Sequence, residues 1–127
     1  MGPVPTPAEI TQLFDAWDAA LASCDPDAVI ALYARDAVLL PTFSDRVRTT
    51  EEGRRDYFAG FLRRCPRARI VEGHARVFGD VAVHSGIYAF VFGAGHEGEA
   101  RARFTFVYRR VEGRWWIVEH HSSCMPE

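Results

Sequence analysis

Lysine is absent: all fifteen cationic side chains of the 127-residue sequence are arginine. A GC-rich genome produces the same bias, so it carries no argument about partners. The net charge of −2 gives no positive surface for nucleic acid or an anionic membrane, and neither partner is expected. Cysteine is scarce. Cys24, Cys65 and Cys124 are odd in number and lack C-x-x-C spacing, which argues against a disulfide framework or a zinc site. Reduced thiols in a cytoplasmic setting fit better. No long apolar run follows Met1, so neither a signal peptide nor a membrane span is expected. Also missing are the P-loop, G-x-G-x-x-G, G-x-S-x-G and H-E-x-x-H motifs, so no cofactor and no metal are expected.

What remains is an ordinary globular composition, 48% hydrophobic and 25% charged, with room for one domain over residues 1–127 after a Pro-rich leader at 1–5. Thr6-Pro7-Ala8-Glu9 carries a capping residue, a first-position proline and an acid at the third helical position. Ile10, Leu13, Phe14, Trp17 and Leu21 follow as one apolar stripe, so a helix is expected over 7–23. Asp25-Pro26-Asp27 restarts a shorter helix with Val29, Leu32 and Tyr33 turned inward. A short strand is expected at 37–40. A polar loop reaches Thr50, and Thr49 with Glu52 opens a third helix carrying Tyr57, Phe58, Phe61 and Leu62, which Pro66 ends.

Beyond Pro66 the period changes from 3.6 to 2, and strands are expected over 69–78, 81–92, 101–111 and 114–122. Gly79-Asp80, the Gly-rich run 93–98 and Glu112-Gly113 supply the turns. Helices set against one face of an antiparallel sheet make an α+β domain, and a curved sheet over helices leaves room for a pocket.

The last hairpin holds the densest polar cluster. A two-residue turn at Glu112-Gly113 with unbroken pairing puts Phe104, Phe106, Tyr108, Ile117, Glu119, His121 and Ser123 on one face. The opposite face then carries Arg103, Val107, Trp116, Val118, His120 and Ser122. His120 and His121 are adjacent on a strand and point apart, so they cannot share a metal. The candidate ligand-binding set is Tyr57, Phe104, Phe106, Glu119, His121 and Ser123. Glu119 beside His121 on an aromatic wall is a candidate general base. The face with Arg103, Val107, Trp116 and Val118 is too apolar for water and is the candidate contact with a second copy.

Several runs resemble one group of proteins: Val38-Leu39-Leu40-Pro41-Thr42-Phe43-Ser44-Asp45-Arg46-Val47-Arg48-Thr49, Asp56-Tyr57-Phe58, Val83 to Tyr88, Ala102 to Tyr108, Ile117 to Ser123 and Met125-Pro126-Glu127. The sequence resembles bacterial relatives of the association domain of calcium/calmodulin-dependent protein kinase II, within the NTF2-like (SnoaL-like) superfamily. That resemblance implies a cone-shaped α+β barrel with a deep pocket, self-associating through its sheet as a homodimer or larger homo-oligomer. In the kinase domain the pocket is Arg-rich and binds small carboxylates. Phe106 stands where one of those arginines is found, so anion binding carries over only if Arg48 or Arg103 reaches the cavity. The expected function is a cytoplasmic, homo-oligomeric pocket protein for a small organic ligand. The alternative is a cofactor-independent isomerase or hydro-lyase using Glu119 or His121 as base.

Overall fold

A computed structural model of the protein describes residues 4–93 and 98–126. The chain runs α1 (Pro7–Ala22), α2 (Pro26–Ile30), β1 (Tyr33–Leu40), α3 (Glu51–Phe61), a 3₁₀ turn (Leu62–Arg64), then β2 (Arg67–Phe78), β3 (Val81–Phe92), β4 (Gly98–Val111) and β5 (Arg114–Cys124). The five strands form one curved, unclosed sheet in the order β1-β5-β4-β3-β2. Neighbouring strands are antiparallel except β1, which lies parallel to β5. The Gly-rich run expected as a turn falls partly on 94–97, and the leader partly on 1–3, both outside the described residues.

Local chemistry accounts for the helix starts. The Thr6 hydroxyl accepts the Glu9 amide at 3.3 Å and Asp25 accepts the Asp27 amide at 2.9 Å, each followed by proline in the first turn. Ile10, Phe14, Trp17 and Leu21 of α1 are buried as a stripe, each worth about 1.5–3 kcal/mol of transfer free energy. They pack on the inner sheet face, where Trp17 stacks on Tyr88 at 5.9 Å and Phe14 meets Phe104 at 6.3 Å. A polar clamp docks the same helix to the start of β2: Arg67 forks onto Asp18 at 2.7 and 3.2 Å, and the Ala68 amide donates to it at 2.8 Å. Burial alone would raise the Asp18 carboxyl, but Arg67 and the Ala68 amide outweigh it and hold it below the usual carboxylate range.

Three local expectations are corrected. The second helix stops at Ile30, and Tyr33 begins a strand rather than extending that helix. The reason is β5: the Ile117 amide donates to the Leu32 carbonyl at 3.0 Å, and Tyr33 pairs with Ile117. Accordingly β1 is longer than 37–40 and carries a bulge between Tyr33 and Val38. The buried Arg54 holds that bulge, donating to the carbonyls of Ala37 (2.7 Å), Ala34 (3.1 Å) and Arg35 (3.0 Å). The third correction is at α3, which is capped by Thr50 through the Gly53 amide at 3.0 Å, not by Thr49.

Glu112 and Gly113 both have positive φ (52° and 78°), as the two-residue hairpin turn requires. At Gly86 a Cβ would overlap the Glu72 carbonyl, so only glycine fits opposite the β2 bulge between Ile70 and Glu72.

Candidate functional site

Pairing in the last hairpin begins as the turn dictates, with Val111 opposite Arg114 and Tyr108 opposite Ile117. It then slips by one residue: Val107 pairs with Glu119, Phe106 with His120, Phe104 with Ser122. Val118 is the extra residue of a β-bulge, and everything after it changes face. His120 and Ser122 therefore point inward with Phe104, Phe106 and Tyr108, while Glu119, His121 and Ser123 point outward. The unbroken register expected from sequence is thus corrected, and the six candidate ligand-binding residues are divided. Phe104 and Phe106 are buried in the core, and Tyr57 lies at the open end of the cone with its O–H donated to the Thr42 carbonyl at 2.9 Å. Glu119 and His121 are solvent-exposed on the outer face and Ser123 is half-buried there.

The inward side holds a buried polar chain that sequence reasoning missed. Trp17 Nε1–H donates to Tyr33 Oη at 3.1 Å, and Tyr33 Oη lies 2.8 Å from His120 Nδ1. His120 Nε2 lies 3.3 Å from Tyr88 Oη, which donates to Ser122 Oγ at 2.5 Å. The His120 ring also stacks on Phe106 at 4.0 Å. Burial, with a smaller push from neighbouring His121, lowers the His120 pKa to about 3, so the ring is neutral at physiological pH. Burial likewise holds the Tyr33 and Tyr88 phenols above their usual value, so both stay protonated. No signal in the sequence separates Trp17, Tyr33 and Tyr88 from ordinary core aromatics, and the polar tail of β5 has no apolar alternation to fix its phase.

The cone interior is almost filled. Between Trp17, Tyr57, Tyr88, His120 and Ser122 a space of ≈ 10 Å³ is left, about the room one water needs. An open cleft of ≈ 350 Å³ lies next to it, between the loop 41–47 and the end of β5, and shares Pro41, Thr42 and Ser122 as lining. Neither arginine considered from sequence lines the internal space. Arg103 is exposed on the outer face. Arg48 is bonded to the Gly53 carbonyl, Asp56 and Ser44 at 3.1, 3.1 and 3.3 Å. Among the described residues no three His, Cys, Asp or Glu side chains converge on a metal-sized site, and no helix is long and apolar enough to cross a membrane.

The outer sheet face is the second feature. Across four strands it presents Val38, Glu119, Val107 and Val83 in one row, and Leu40, His121, Thr105 and Ser85 in the next. Arg103, Val107, Trp116 and Val118 do share this face, now joined by Glu119, His121 and Ser123. A concavity of ≈ 670 Å³ adjoins it and is lined by Trp116, Val118 and Arg109 together with Tyr33 and residues of α2. Arg114 lies over the Trp116 ring at 3.8 Å.

Comparison with known proteins adds identity to this geometry. The family model of the calcium/calmodulin dependent protein kinase II association domain matches residues 6–126. A Xanthomonas campestris structure described as such an association domain is 43% identical, with a TM-score of 0.91 over 94% of this chain and 87% of that one. An NTF2-like protein from Pseudomonas putida (22% identity, TM-score 0.83, 98% and 92% coverage) shares the fold. So does a protein described as a dehydratase of the NTF2-like family from Streptomyces avermitilis (17%, 0.82, 93% and 94%). No functionally curated protein matches the chain. The cone of helices on a curved sheet and the match along almost the whole sequence lead to one statement: this chain belongs to the calcium/calmodulin-dependent protein kinase II association-domain family and has the NTF2-like fold.

Proposed function

We propose that the protein is a self-associating domain whose subunit contact is the outer face of its sheet, and that it carries a small-molecule site at the open end of the cone. The observation that supports assembly is the row Val38, Val107, Val83 with Trp116 and Val118 beside it, apolar groups left half-covered on one continuous surface. A strand face with this much apolar surface favours a second surface that covers it, and membership of an association-domain family supports another copy in that place. The Glu119–His121 pair belongs to this contact face. Its role there is polar: two groups that set the relative orientation of copies across an otherwise apolar patch.

The test is the oligomeric state. Val107→Arg with Val118→Arg places two cations in the contact, and light scattering after size exclusion is expected to give the monomer mass of 14.3 kDa with the fold intact by circular dichroism. An unchanged oligomer mass would remove the sheet face from the account.

The second part rests on the buried chain reaching Ser122, which borders both the internal space and the open cleft. Pockets of this type combine an apolar wall with a few fixed polar groups. Neither Glu119 nor His121 lines the internal space, and His121 borders only the open cleft, so binding is the function the interior supports best.

A further inference from the structure

The polarity of the buried chain is fixed from one end. Trp17 Nε1–H can only donate, so Tyr33 Oη accepts from it. The one Tyr33 proton then has a single buried acceptor, His120 Nδ1. With Nδ1 accepting, the neutral imidazole carries its proton on Nε2 and donates to Tyr88 Oη. Tyr88 in turn donates to Ser122 Oγ. This arrangement gives four of the five chain protons an acceptor, and reversing a link only moves the unpaired proton inward to Tyr88 or Tyr33, which are more deeply buried than Ser122. The Ser122 proton is the one left over. It has no acceptor among the described residues, and Ser122 is only 5% exposed.

That leftover donor sits at a boundary. On one side is the ≈ 10 Å³ space, the size of one oxygen rather than a ring. On the other is the ≈ 350 Å³ cleft beside the loop 41–47. We propose that Ser122 Oγ–H is the anchoring donor of a site for an uncharged small molecule bearing a carbonyl oxygen, whose body occupies the cleft while its oxygen accepts from Ser122. The inference rests on the small-molecule reading of the cone mouth given above and names the ligand class for it. A carboxylate is disfavoured because its oxygen would lose water among Trp17, Tyr57, Tyr88 and neutral His120 with no cation lining that inner space, while the cleft carries Arg46 together with Asp45 and so offers no net positive charge. A ligand whose only polar group is a donor is disfavoured because it leaves the Ser122 proton unpaired. Tyr88 is a positioning residue, holding the Ser122 proton outward.

The experiment is an NMR titration of the wild-type chain, Ser122→Ala and Tyr88→Phe with three ring compounds of similar size: acetophenone labelled with ¹³C at its carbonyl, benzoate and indole. With the wild type, acetophenone is expected to give saturable shifts at the Thr42, Ser122 and Ser123 amides and a downfield carbonyl signal, the signature of an accepted hydrogen bond. Benzoate and indole are expected to give none at those amides. Ser122→Ala should bind acetophenone about fivefold more weakly, the worth of one neutral hydrogen bond. Tyr88→Phe should narrow the preference for acetophenone over indole, which a packing role alone would not do. Equal acetophenone affinity in Ser122→Ala, an unmoved carbonyl signal in the bound wild type, or indole binding at the same amides would overturn the donor assignment while leaving a mouth pocket in place. If none of the three probes shifts those amides in the folded wild type, the small-molecule reading falls with it.

Discussion

His120 and His121 are consecutive in the chain and lead opposite lives. His120 is 2% exposed, stacked on Phe106 and bonded at both nitrogens, whereas His121 lies exposed on the outer face, paired across the strands with Thr105. The same division separates Ser122 from Ser123 and runs along the entire sheet. Inner positions belong to one aromatic core with a polar chain through it, and outer positions form a mixed valine, arginine and histidine surface. Both faces hold imidazole and hydroxyl groups, so residue type does not decide which of them is structural and which is available. The bulge at Val118 does, because one extra residue reverses the facing of all that follows.

The largest effect that would break this contrast belongs to the inner face. Trp17→Ala removes a fully buried ring and the donor that fixes the chain's polarity, and is expected to cost about 3–5 kcal/mol in urea unfolding. A loss below about 1 kcal/mol would mean that Trp17 is not packed as described.

Acid is expected to act next. The His120 pKa falls from 6.5 to about 3 on folding, so between those values the unfolded chain binds a proton that the native state does not. Stability from this group is therefore fully present above about pH 6.5 and is lost as pH falls toward about 3, with a slope approaching 1.4 kcal/mol per pH unit. Burial lowers His84 in the same direction and adds to the slope. Unfolding free energies that are flat between about pH 7 and 5 would contradict a neutral buried His120.

A smaller loss is expected for Tyr33→Phe, which leaves His120 Nδ1 without its donor at a cost of about 1–2 kcal/mol. The outer face gives the smallest effect on folding. Glu119→Gln and His121→Gln should each move monomer stability by less than about 0.5 kcal/mol. A cost on the outer face equal to that of Tyr33→Phe would erase the distinction between the two faces.

Sequence reasoning reaches some of this and not the rest, for identifiable reasons. The α1 stripe, the four long strands and the Glu112-Gly113 turn were legible because their periodicity, capping residues and turn chemistry all point one way. Phe104, Phe106 and Tyr108 announce their face by strict alternation. The end of β5 reads Glu-His-His-Ser-Ser, and either phase places one histidine and one serine inside, so nothing in the pattern reveals a slip of register. Thr49 and Thr50 are equally good caps, and the choice between them is made by where the β1 loop delivers the chain. The start of β1 was hidden for a different reason: Leu32 and Tyr33 continue a helical stripe from Val29, and only pairing with a strand eighty residues away draws them out of it. Arg54 was invisible as a clamp because the three carbonyls it satisfies exist only once β1 bulges.

The most direct test of the account is the imidazole ¹⁵N spectrum of His120, assigned by comparison with His120→Asn. The ring is expected to be neutral and protonated on Nε2, with Nδ1 as acceptor, and not to titrate from neutral pH down to about pH 5. A proton on Nδ1, or a titration midpoint near 6.5, would place His120 outside the buried chain and contradict the inward turn of β5 after Val118.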